Sequence, residues 1–190
     1  IAKGAGFEER HFEAGIETAL EALLASPRFV FRLEQPPAAA RVGETFRVAD
    51  LDLASRMSYF LWGTGPDQAL ITAASSGALK TTARLAAEVR RMIADPRSEA
   101  LSTRFARQWL RLQDVEKIRP DALLYPYWDY TLAENLVRET ELFFDSLVRD
   151  DRSILDMLRA DYTFVNERVA RHYGIPNVMG SEFRKVPTPT

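Results

Sequence analysis

The sequence predicts an all-α protein, an irregular multi-helix bundle of about eight helices joined by long connectors. Three observations carry this. Apolar residues recur at steps of three or four along most of the chain. The periodic stretches open on Ser, Thr, Asp or Asn and close on Gly or Pro, which are helix boundary residues. Strand signals are few, and no fixed-period repeat suggests a solenoid.

The clearest element is the long helix ending at Arg149. Leu132, Leu136, Thr140, Phe143 and Leu147 share one stripe, with Ala133, Val137, Phe144 and Val148 beside it. So wide an apolar face is buried against other helices. Pro126 suits its first turn, where a missing N–H costs nothing. Glu134 and Arg138 stand at the spacing of a surface pair.

From the N-terminus, His11 to Ala25 is the first helix, with Phe12, Ile16, Leu20 and Leu24 on one side. Ser26-Pro27 stops it, because the residue before proline avoids helical dihedrals. Phe29 to Leu33 is either a helical turn or a buried strand. Asp50 is the expected N-cap of Leu51–Trp62. Pro66 opens a helix that Gly77 ends. Thr81 or Thr82 starts the next, running to Ala94. Asp95-Pro96 begins another, continuing through Leu112. After the long helix come a short one at Ser153–Leu158, an extended Asp161–Phe164, and a last helix from Asn166 to Tyr173-Gly174. Residues 1–48 are expected to be an N-terminal helix and linker, the end of a preceding module. Residues 49–176 form the helical core domain, and 177–190 a tail or the start of another module.

The 190 residues carry a net charge of −2, which argues against nucleic acid as the partner, since a basic face is expected there. The chain has no cysteine, which removes disulfides, thiolate metal sites and the C-x-x-C-H haem attachment from this segment. No run approaches the ~20 apolar residues of a membrane span. Ile1 and the ending at Lys185–Thr190 read as those of a piece of a longer chain.

Three stretches go beyond generic helix chemistry: Ala22–Arg32, then Leu53–Trp62 with Pro66-Asp67, then Arg138–Phe144 running on to Asp161–Arg168 and His172–Pro176. In this order the chain resembles a bacterial family catalogued as a domain of unknown function. That family is common in planctomycetes, in large exported proteins that also carry a cytochrome c-like domain. The resemblance implies a periplasmic or extracellular setting, and as partners the neighbouring domains of the same protein, a cytochrome c domain among them. Haem c would lie elsewhere on the parent chain, and no cofactor is expected in this segment. The family offers no catalytic residues to carry over.

The residues themselves show no catalytic constellation and no metal set. Glu8-x-x-His11 is a single Glu-x-x-His pair, whereas di-iron bundles use two. Glu139 and Glu141 stand roughly 200° apart on a helix, so they cannot face one substrate together. A structural role is expected for both, one solvated and one bonded to an arginine such as Arg56 or Arg104, with Arg56 set among apolar neighbours. Asp161, Asn166 and Arg168 are expected to fix a turn through side-chain to backbone bonds. The other arginines read as a solvated face. Tyr127 and Trp128, in an aromatic-rich link, are candidate binding aromatics. The favoured expectation is a non-catalytic helical scaffold or docking module. The alternatives are part of an enzyme (a polymer hydrolase or redox enzyme completed by neighbouring domains), marked by an unpaired glutamate in an aromatic cleft, and a glycan-binding module, marked by exposed Tyr127 and Trp128.

Overall fold

The computed structural model describes residues 5–31, 34, 36–38, 40, 41 and 43–188, without the side chains of residues 5–11 and 28. The described residues contain eight α-helices and one two-stranded sheet, so the all-α expectation holds. The chain divides into two units, Ile1–Val48 and Ala49–Thr190.

In the first unit, α1 (Ala5–Ala25) ends where Ser26-Pro27 stops it, and α2 (Pro27–Val30) is one turn. Phe29 and Val30, at the start of the ambiguous run, are therefore helical, Phe31 is extended, and Arg32 and Leu33 lie outside the described residues. Proline at the first position of α2 supplies the needed φ.

The second unit begins with α3 (Asp50–Leu61). Its N-cap is Ala49, not Asp50, which is the first helical residue and favours the positive end of the helix dipole. Next come α4 (Gln68–Ser75) and α5 (Thr82–Ala94), capped by the side chains of Asp67 and Thr81. Pro66 thus precedes the cap of α4 rather than opening the helix.

The expected single helix from 96 to 112 is broken. A 3₁₀ turn at Pro96–Ser98 leads into a π-helical segment, Leu101–Ala106, then the short α6 (Arg107–Trp109) and another 3₁₀ stretch, Leu112–Lys117. A π segment advances the chain by more residues per turn, so residues beyond it face directions that a 3.6-residue count does not foresee.

The long helix is α7 (Tyr130–Arg149). Asp129 caps it by accepting the Leu132 N–H at 2.7 Å, so Pro126 lies outside its first turn. Its stripe buries Leu132, Ala133, Val137, Phe144 and Leu147. Each large apolar side chain buried this way contributes about 1.5–3 kcal/mol. After a 3₁₀ stretch (Ile154–Leu158), β1 (Tyr162–Val165) pairs antiparallel with β2 (Arg184–Pro187), Thr163 opposite Val186. Between them lies α8 (Glu167–Tyr173), capped by Asn166 and ended by left-handed Gly174.

The core has two parts. One gathers Met57, Leu61, Trp62, Leu70, Leu79, Met92, Leu101 and Phe144; the other gathers Val165, Val169, Ala170 and Val178. Within this unit Val178 belongs to the second core cluster, and Arg184–Pro187 pair with β1 in the ribbon.

Candidate functional site

Glu139 and Glu141 leave α7 on different sides, as their spacing requires. Glu141 is 5% exposed and faces the segment after the π turn. Its Oε1 lies 3.4 Å from Arg107 Nη1 and its Oε2 3.3 Å from Arg138 Nη1. Arg107 also meets Glu116 at 2.5 Å, and Arg138 meets Glu99 at 2.7 Å. The result is a run of ion pairs, Glu116–Arg107–Glu141–Arg138–Glu99, that joins α7 to α6 and to the chain on either side of it.

The expected arginines are therefore corrected. Arg104 is exposed and donates instead to the Gly63 carbonyl at 2.7 Å. Arg56 is exposed rather than buried on the apolar face. Arg107 and Arg138 were hidden from the sequence reading because the π segment sets the phase of Arg107, and because Glu134 offered Arg138 a more obvious partner.

Glu139 has no ion pair among the described residues. Its two carboxylate oxygens accept hydrogen bonds from Thr163 Oγ1 on β1 and from the Tyr173 hydroxyl on α8, the latter at 2.8 Å. Burial, reinforced by the neighbouring Glu139 charge, pushes the Tyr173 phenol well above its usual range. Tyr173 therefore stays a protonated donor. The carboxylate lines a cleft of about 460 Å³ whose walls include Phe143, Tyr162, Tyr173 and Ile175. The sequence reading missed Thr163 and Tyr173; they meet Glu139 only once the ribbon and α8 fold against α7. Asp156 lines the same cleft, but its oxygens are held by Arg152 at 3.0 Å and Arg159 at 3.4 Å.

The aromatic link forms a second feature. Leu123, Leu124, Tyr125 and Tyr127 are 92%, 74%, 61% and 80% exposed, whereas Trp128 is half-buried. Tyr127 and Trp128 are thus not equally presented to solvent, contrary to the glycan-binding expectation. The link is held at both ends. Asp121 accepts N–H bonds from Leu123, Leu124 and Tyr125. Arg168 donates to the Tyr127 carbonyl at 2.9 Å and to Asp129 at 2.5 Å. Tyr127 also lines a groove with Leu132, Arg168, Arg171 and His172.

Asn166 is buried and accepts the Val169 N–H at 3.0 Å. Asp161 acts through its backbone carbonyl, which accepts the Thr188 N–H, rather than through a side-chain bond to the turn. The arginines assigned to a solvated face include Arg91 and Arg97, which instead bond Asp67. The Glu8 and His11 side chains lie outside the described residues. No described helix is long and apolar enough to cross a membrane.

Fold and site define an all-α module with a cleft in which the Glu139 carboxylate has no ion pair among the described residues, and with an exposed apolar loop. A family model described as PSD4: Protein of unknown function (DUF1592) matches residues 48–175, and the chain belongs to that family. No curated protein and no solved structure matches it.

Proposed function

We propose that this domain is a non-catalytic docking module that seats a neighbouring domain of the same polypeptide on the loop from Asp121 to Asp129. The observation that carries this is the loop itself. It exposes Leu123, Leu124 and Tyr127 almost fully while its backbone is tied down at both ends. Exposed contiguous apolar surface marks interaction sites, and a loop ordered beforehand loses little entropy on binding. The resemblance supports a parent protein that is exported and carries a cytochrome c domain, which is the neighbour proposed to dock.

The test is site-directed photo-cross-linking in the full parent chain, with the photoreactive residue replacing Leu123. Links to a neighbouring domain are expected. Links confined to residues 49–190, or none, overturn the reading.

The rival enzyme reading draws on the Glu139 cleft, which has a carboxylate without an arginine and aromatic walls. Glycoside hydrolysis needs a second carboxylate free to act across the cleft. Asp156 is the acid in place there, and two arginines hold it. The geometry therefore favours binding over bond cleavage.

A further inference from the structure

Glu139 differs from Glu88 and Glu141, the buried acids among the described residues. Glu88 is paired with Arg84 and Arg91, and Glu141 with Arg107 and Arg138. Glu139 is half-buried, carries the same charge, and is met by neutral hydroxyls. Those hydroxyls tie α7 to β1 and α8, which accounts for a polar side chain at this position. They do not account for its charge. A hydroxyl both donates and accepts, so a glutamine amide would serve the same two partners.

The charge has room for a ligand. A carboxylate offers about four lone-pair directions, and two are used here. The cationic groups nearby are committed elsewhere. Arg159, on the cleft wall, bonds Asp156, and Lys185 Nζ stands 3.6 Å from the centroid of the Tyr162 ring. Phe143 and Tyr173 remain as aromatic surface beside the carboxylate, and Tyr173 is 44% exposed. A volume of about 460 Å³ suits a compact organic molecule.

We propose that this cleft binds a small organic cation, a primary ammonium group on a compact apolar body. The ammonium donates to the open lone pairs of Glu139, and the apolar body lies against Phe143, Tyr173 and Ile175. Charge-assisted bonds of this kind are roughly twice as strong as neutral ones, and a cation beside aromatic faces gains further.

The experiment uses benzylamine, protonated at neutral pH, with benzyl alcohol as its uncharged counterpart. Each is titrated into the whole chain and followed by amide shifts and calorimetry. Benzylamine is expected to shift the signals of Glu139, Thr163 and Tyr173 and to bind about tenfold more tightly than the alcohol, the scale of one charged hydrogen bond. Glu139→Gln is expected to erase that preference while keeping the thermal midpoint near that of the unaltered chain. Equal binding of the two probes, no binding of either at millimolar concentration, or an undiminished preference in Glu139→Gln overturns the proposal. Should Glu139→Gln fail to fold, salt decides on the unaltered chain. Affinity for benzylamine that falls with added salt while that for the alcohol does not supports the site, and salt-independent affinity overturns it.

Discussion

The indole N–H of Trp62 donates to the backbone carbonyl of Met92 across 2.9 Å, and both side chains are buried. That bond ties the end of α3 to the last turn of α5. The Arg97 guanidinium stands 3.6 Å from the indole ring centroid and that of Arg91 5.5 Å away. Both arginines also bond Asp67, the cap of α4. One indole therefore sits where three helices are joined. Trp62→Phe keeps much of the apolar volume but removes the donor and the stronger cation–π face. The Met92 carbonyl is not orphaned, since the Asp95 N–H also reaches it at 3.3 Å. The expected loss of stability is about 1–3 kcal/mol. Urea denaturation checks it, and an unchanged m-value would show that the unfolded state is unaltered.

Asp67 makes this junction sensitive to acid. The hydrogen bond from Arg91 holds its carboxyl below the ordinary 3.8, against a smaller opposing effect of burial. Asp95, bonded by the Arg97 guanidinium and backbone, is lowered to about 2. A carboxyl depressed in the folded state adds stability above its unfolded pKa, and that stability is lost as pH falls through the folded value. Thermal midpoints are therefore expected to drop from about pH 4 downward as these two groups protonate. Asp67→Asn isolates the charge, because asparagine caps a helix as well as aspartate. That variant is expected to be less stable at neutral pH and to show a flatter acid limb. An acid limb of unchanged slope would mean that the Asp67 pairs with Arg91 and Arg97 carry little of the effect.

How far the sequence could be read follows the range of the forces involved. The stripe on α7, the Thr81 and Asn166 caps and the Gly174 stop are local, and 3.6-residue spacing with cap chemistry finds them. The resemblance motif Leu53–Trp62 with Pro66-Asp67, and Gly63 just after its first part, are visible in the sequence as residues but not as a structure. The reason is non-local: Trp62 answers to Met92, Gly63 to Arg104 and Asp67 to Arg91. The same applies to the candidate site. The separation of Glu139 from Glu141 around α7 follows from helix pitch alone. Their partners do not, because Thr163 and Tyr173 arrive from a ribbon and a helix more than twenty residues away, and Arg107 arrives through a π segment. The ribbon was missed because its second strand, Arg184–Pro187, contains a proline and carries little periodic signal.

Gly63 and Arg104 supply the sharpest test of that non-local logic. Gly63 has φ +65, a left-handed conformation that L side chains avoid. A Cβ added there would collide with the Arg104 guanidinium, whose Nη1 donates to the Gly63 carbonyl at 2.7 Å. Gly63→Ala thus meets two costs, backbone strain and displacement of Arg104. Together they are expected to lower stability by about 1–3 kcal/mol. The second cost disappears when Arg104 is already truncated. In an Arg104→Ala background, Gly63→Ala should therefore cost less than in the unaltered chain, with a coupling on the order of 1 kcal/mol between the two sites. A double-mutant cycle by urea denaturation measures it. Additive effects would show that the arginine yields freely, leaving the left-handed backbone as the reason that position 63 needs glycine.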